Sequence, residues 1–191
     1  MQRLLFTLFL FTLLTSPFTL ASAWAAMALV PQTGQTTSYA PGDDGDNPQG
    51  VPWPNPRFSD NSNGTITDNL TGLVWLKNAN CYGTSTWAGA ISSANGLKSG
   101  ACGLTDSSKA GDWRLPNRKE LKSLISRQQA NNATWLVSLG FSNVQAYGYW
   151  SSSTCAINTD NAWVVSMYDG GVDFNLKTYD GGYVWPVRSG Q

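Results

Sequence analysis

The chain has 191 residues, with 12 Lys+Arg against 12 Asp+Glu and only 13% charged residues, a near-neutral balance that leaves no electrostatic footprint for nucleic acid or an anionic membrane. It has no histidine and a single glutamate, Glu120, which removes Ser-His-Asp and Cys-His catalytic apparatus, histidine zinc ligation and the usual base near neutral pH. With 19 Gly and 9 Trp, the composition is that of a loop-rich exported module that buries much aromatic area per residue.

The first stretch predicts a secretory signal peptide over residues 1–25. Arg3 is followed by an apolar run from Leu4 to Leu14, a break at Ser16-Pro17 and the small-residue string Ala21 to Ala26, with cleavage after Ala25 or, alternatively, Ala23. No second long apolar run follows, so no membrane span is expected after cleavage. No cysteine lies just beyond the apolar core to carry a lipid anchor. The destination is the periplasm, the cell surface or the exterior. Arg3 is the only charged residue in the leader, so the mature chain carries one net negative charge.

Residues 26–56 are rich in Pro, Gly, Thr and Asp. They read as an extended lead-in pinned to the domain by Trp53 and Phe58. Asp43, Asp44 and Asp46 offer hard oxygen ligands to Ca²⁺, and read first as a solvated acidic turn.

The domain proper is expected over residues 57–191. From Arg57 to Lys77 the pattern is a hairpin pair: Asn63-Gly64 is a two-residue turn signal, Thr65-Ile66-Thr67 alternates, Asn69 to Gly72 turns again, and Leu73 to Leu76 is a buried strand. Ser59, Asn61 and Asn63-Gly64 imitate the start of an EF-hand loop, but its twelfth position falls on Leu70 instead of a bidentate glutamate. Trp87, Ile91, Ala94 and Leu97 recur at helical spacing and predict an amphipathic helix ending by Gly100. Cys81 and Cys102 bracket it. In an exported protein that spacing suits a disulfide worth about 3 kcal/mol. Cys155 is then the odd cysteine, and the sequence alone leaves its pairing with either of the others open.

A second helix starts at Arg118. Pro116 drives Leu115 out of the helical region, Asn117 is placed to cap, and Glu120 falls three residues later to complete a capping box. Leu121, Leu124 and Ile125 give it an apolar stripe. Arg127 to Gln145 is mixed, with Trp135, Leu136, Leu139 and Phe141 as core candidates. Strands follow over Tyr147 to Ser152 and Ala162 to Tyr168, the latter with Trp163, Val165 and Met167 on one face. Asp169-Gly170-Gly171 turns into Val172 to Tyr179, where Val172, Phe174 and Leu176 alternate with Asp173, Asn175 and Lys177. Asp180-Gly181-Gly182 turns again into Tyr183 to Arg188. The reading is one α+β domain ending in an antiparallel meander, with no internal repeat.

In order and combination, several stretches carry a family resemblance: Thr33-Gly34-Gln35-Thr36 with Tyr39 to Gly45; Arg57-Phe58 through Thr71-Gly72-Leu73-Val74-Trp75; Cys102-Gly103-Leu104; Asp112 to Asn117 with Glu120-Leu121; Tyr149-Trp150-Ser151-Ser152; and Trp185-Pro186-Val187-Arg188. On them the chain resembles the Lcl C-terminal domain family (DUF1566). The resemblance implies a C-type-lectin-like fold, two helices flanking antiparallel β-sheets with the chain ends meeting. A member at the end of a bacterial collagen-like adhesin is associated with sulfated glycosaminoglycan binding, so extracellular recognition and adhesion are what the resemblance implies. The collagen-like Gly-X-Y repeat is absent here. The Arg-Leu-Pro helix start is also similar to that of formylglycine-generating enzymes, which share the broader fold and work through a late cysteine pair; only Cys155 lies at such a place.

The favoured reading is therefore a non-catalytic exported module that binds an extracellular glycan or protein through its late-strand turns. Asp160, Asn161, Tyr168, Asp173, Asn175, Lys177, Tyr179 and Asp180 are the candidates, because Tyr and Asn supply stacking and hydrogen bonds at low entropy cost. Trp113, Arg114, Asn117, Glu120, Trp150, Trp185 and Arg188 are expected to be structural, with the two arginines tying the chain end to the helix start. A structural envelope or assembly protein is the alternative. An oxidase using Cys155 as thiolate or copper ligand ranks last.

Overall fold

Two tight turns fold the segment after Arg57 back on itself twice. In the computed structural model, which describes residues 30–190, β1 (Phe58–Asp60), β2 (Thr65–Asp68) and β3 (Leu73–Leu76) pair antiparallel in that order. The first connection is four residues long, Asn61 to Gly64, instead of two. Asn61 donates its amide to the Thr65 carbonyl, and Ser62 and Gly64 both take positive φ, 58° and 86°, so the Asn-Gly signal ends a longer loop. Gly64 is also sterically required, since a Cβ there would strike the Gly103 carbonyl oxygen. The expected signal peptide, residues 1–25, and the first residues of the lead-in lie outside the described residues.

The chain end does not continue the meander. β5 (Gly148–Thr154), β6 (Asn161–Ser166) and β7 (Val172–Leu176) form antiparallel neighbours as their turns predict. β8 (Gly182–Tyr183) then crosses to the far side of β5 and lies parallel to it, with β4 (Thr84–Ser85) outside. The second sheet thus has the order β4-β8-β5-β6-β7. Tyr183 to Arg188, expected as one strand, is divided, and β9 (Val187–Ser189) joins the first sheet beside β3. Pro186 supplies the physical reason. It has no amide to donate to a ladder, while its carbonyl accepts the Leu76 amide and the Trp185 indole donates to the Leu76 carbonyl at 2.8 Å. The last residues therefore stitch the two sheets together.

Among the described residues there are three helices where two were expected. α1 (Trp87–Gly96) is capped by Thr86, α2 (Arg118–Ser123) by Asn117 in the full capping box, and α3 (Asn132–Ser138) by Asn131. At seven residues, α3 is too short to display a period, so the Asn131 cap was its only sequence signal. α1 buries Ala90 and Ala94, with Leu97 buried at its C-cap in the larger core, leaving Trp87 and Ile91 at the margin. The small residues let the helix lie close to the second sheet over Leu115, Trp150, Ala162, Val164 and Val184. The opposite face of that sheet meets α2, α3 and the first sheet in the larger core, which includes Ile66, Trp75, Trp113, Leu121, Leu136, Tyr149, Val165 and Trp185.

β7 departs from its pattern. Val172, Phe174 and Leu176, the apolar set of the alternation, are 40%, 44% and 56% exposed. The alternation is real, but β7 is an edge strand, and Trp163 with Phe174 forms an edge-to-face pair near the surface instead of entering the core.

Cys81 and Cys102 are joined in a disulfide, and Cys155 is free and buried. The bond closes a loop with a sequence separation of 21 that contains α1. Replacing both cysteines by alanine is expected to lower unfolding free energy by about 3 kcal/mol, measured by denaturant titration against the oxidised chain.

Candidate functional site

The Trp113 to Leu121 junction is a structural clamp. Arg114 and Val187 exchange backbone hydrogen bonds at 3.0 and 2.9 Å, which fixes β9 to the entry of α2. The Arg114 guanidinium grips both Glu120 oxygens at 2.7 Å. Glu120 also accepts the Asn117 amide at 2.8 Å, while Asn117 Oδ1 accepts the Glu120 amide at 2.9 Å. Partial burial works against the Glu120 charge, yet the Arg114 pair and the Asn117 amide outweigh it and hold its carboxyl below the ordinary value of 4.5. Arg188 stacks 5.3 Å from the Trp113 ring centre and reaches Asp106 at 3.4 Å. Trp150 donates to the Ser85 carbonyl at 2.8 Å, and its indole leaves no space for a Cβ at Gly182.

The late-strand candidates do not converge. Tyr168 sits at the β6–β7 turn, where its carbonyl accepts the amide of Asn132. Asp160, Asn161, Tyr179 and Asp180 lie at the opposite end of the same hairpin. Asn161 is buried, and the Asp160 carbonyl accepts the Lys177 amide. Asp173 accepts the amide of its own neighbour Phe174, and Lys177 Nζ rests 4.2 Å over the Trp87 ring. Asn175 and Tyr179 share a cavity, a depression of about 220 Å³ whose wall includes Tyr147 and Tyr183.

A larger cleft, about 690 Å³, opens between the lead-in and α2. Val30, Pro31, Trp53, Leu70, Ile125 and Val172 give it an apolar floor, and Arg118, Lys119, Lys122 and Arg127 stand around it with no acidic lining residue. The lead-in wall is fixed in place: Thr33 accepts the Arg127 amide at 3.0 Å, Trp53 donates to the Gln32 carbonyl at 2.8 Å, and Gln128 Oε1 accepts the amides of Thr36 and Thr37. Burial, then the neighbouring Arg127 charge, push the Lys122 ammonium below the usual lysine value, against the opposing pull of Asp169. Arg57 lies behind the wall, its guanidinium 4.2 Å from the Trp53 ring and bonded to the Ser123 carbonyl. Its Nη1 is buried without an acceptor among the described residues. The arrangement can hold an anion attached to an apolar body.

Sequence reasoning missed these residues. The signal was present as Arg118, Lys119 and Lys122 within a turn of one helix, but net neutrality masked a local surplus, and the lead-in half of the cleft is distant in sequence. The lead-in acids are engaged locally: Asp43 accepts the amides of Tyr39, Gly45 and Asp46, and Asp46 accepts that of Gly42. Among the described residues no group of three His, Cys, Asp or Glu side chains is placed to hold a metal ion. No helix there is long and apolar enough to cross a membrane.

The sequence model of the Lcl C-terminal domain matches residues 64–188. No curated protein matches the chain.

Because the Glu120 carboxyl titrates lower in the folded chain, its stabilising contribution is complete above 4.5 and is lost as pH falls through the depressed folded value. Glu120→Gln is therefore expected to cost about 1 kcal/mol at neutral pH, with the gap to the parent chain closing on acidification. Chemical denaturation of both proteins at a series of pH values checks this.

Proposed function

The chain belongs to the Lcl C-terminal domain family, and from that premise we propose an exported, non-catalytic recognition module that binds an anionic group of an extracellular glycan or protein in the cleft between the lead-in and α2. One observation carries the reading: four cations surround an apolar-floored cleft that no acidic residue lines. A charged ligand group placed there meets donors that already lack carboxylate partners, so it does not have to displace an internal ion pair. The disulfide fits an oxidising, extracytoplasmic setting. We read the architecture as C-type-lectin-like, supported by two sheets, a helix on the outer face of one of them, and β1 and β9, the first and last strands, in the same sheet. Cys81 and Cys102 are bonded to each other and Cys155 is buried, which favours binding over cysteine-pair chemistry.

A second reading has its own observation. The depression walled by Tyr147, Asn175, Tyr179 and Tyr183, where Tyr147 and Tyr183 stack at 6.2 Å, offers aromatic faces and an amide to a neutral sugar.

The two readings separate by salt and by mutation. An array of anionic and neutral glycans, with an acidic-peptide panel, is expected to give salt-sensitive binding that Lys122→Glu with Arg118→Glu weakens at least about tenfold. Salt-insensitive binding lost in Tyr179→Ala would instead select the tyrosine depression. Binding to neither panel would sink both.

A further inference from the structure

β7 closes one side of the second sheet, and no strand pairs with its outer edge among the described residues. Its bonds to β6 determine which groups face outward. Lys177 donates to Asp160 and Ser166 donates to Gly171. Odd-numbered residues of β7 therefore bond inward, while the amides and carbonyls of Val172, Phe174 and Leu176 point to the free edge. The side chains of those three lie on the α2 face, where Phe174 meets Trp163 at 5.6 Å and Arg118 stacks 4.6 Å over Trp163. Asp173, Asn175 and Lys177 alternate onto the α1 face, toward Trp87.

We propose that β7 pairs antiparallel with β7 of a second copy, joining two five-stranded sheets into one across a two-fold axis. The strand is complementary to itself. Pairing centred on Asn175 sets Asp173 of each copy opposite Lys177 of the other, and sets Phe174 opposite Leu176 on the apolar face. The neighbouring two-fold register, centred on Phe174, sets Asp173 opposite Asn175 and Lys177 opposite Gly171, so it matches neither charge. Both registers join outward-pointing amides to outward-pointing carbonyls, and charge selects the first. The local bonds permit the exchange. Asp173 Oδ1 holds the Phe174 amide at 2.8 Å and the Leu176 carbonyl accepts the Tyr179 amide. On pairing, the Phe174 amide passes to the Leu176 carbonyl of the second copy, whose other lone pair stays with Tyr179, and Asp173 is released to meet Lys177. The paired strands also cover Phe174 and Leu176, which a lone chain leaves exposed. The two-fold keeps both α2 faces on the same side of the joined sheet.

Sedimentation velocity on the exported chain over a wide concentration range tests the pairing and does not depend on the cleft. A monomer–dimer equilibrium is expected. Asp173→Lys alone and Lys177→Asp alone each place two like-charged pairs opposite one another and are expected to weaken dimerisation about tenfold or more; the double exchange restores it. A chain monomeric up to about 1 mM, or a dimer that ignores the single exchanges, overturns the proposal. So does a double exchange that fails to recover the dimer while near-ultraviolet dichroism reports a native fold. Should loss of the Trp87 contact unfold Lys177→Asp, Asp173→Lys carries the test with Asp173→Asn as its neutral control: graded weakening supports the pairing, and equal dimerisation in all three chains overturns it.

Discussion

Arg57 Nε and Nη2 reach the two carboxylate oxygens of Asp68 at 2.8 and 3.0 Å, with 5% and 0% of the side chains exposed. Burying both charges is costly unless the remaining lone pairs and protons are also satisfied. Asp68 meets that condition: it also accepts the Leu70 amide and the Thr71 hydroxyl, which forms the β2–β3 turn around it. Arg57 extends the network outward, to the Ser123 carbonyl at the end of α2 and to the faces of Trp53 and Phe58. One ion pair thereby fixes the first hairpin, the end of α2 and the lead-in wall of the cleft. Removing one partner from such a pair typically costs about 3–5 kcal/mol, because the other charge is left buried alone.

The use of the acids explains why a neutral protein has a basic cleft. Asp43, Asp46, Asp60, Asp68, Asp106, Asp112, Asp169 and Asp173 each accept a backbone amide within a few residues, as does Glu120. In a loop-rich chain the turns need acceptors, and carboxylates serve them. Their charge is thereby held where turns are. Arg57, Lys77, Arg114 and Arg188 find carboxylates, whereas Arg118, Lys119, Lys122 and Arg127 have none within ion-pair distance among the described residues and gather at one cleft. Net charge is a poor guide to local potential when one sign is committed to local hydrogen bonds and the other is free to cluster.

What was legible in the sequence was short-ranged. The Asn117–Glu120 capping box, the two turns of the first hairpin, the β5–β6–β7 meander and the cysteines bracketing α1 all act over a few residues or through one strong constraint, and each is found in the structure. Features built from distant segments were not legible. The Arg57–Asp68 pair looks in sequence like two ordinary surface charges. The division of the last segment between β8 and β9 depends on what Leu76 presents to Pro186 and Trp185. Alternation of Val172, Phe174 and Leu176 correctly gave a strand and its two faces, but alternation carries no information on whether anything covers the apolar one. The expected site residues were chosen as neighbours in sequence on a hairpin, and a hairpin's length separates its turn from its ends.

The family match divides the two walls of the cleft. The matched region covers 64–188 and includes the whole basic side of the cleft, from Arg118 to Arg127. Val30, Pro31, Gln32, Thr33 and Trp53, the facing wall, lie outside it. Part of that wall is held through backbone groups, the Thr33 carbonyl to the Arg127 amide and the Thr36 and Thr37 amides to Gln128, while Trp53 is held by its side chain, packed 5.9 Å from Trp135. Backbone-mediated attachment tolerates substitution of the attached residues. The cationic side of the cleft and the apolar wall facing it are therefore supplied by different segments of one chain, the first inside the matched region and the second outside it.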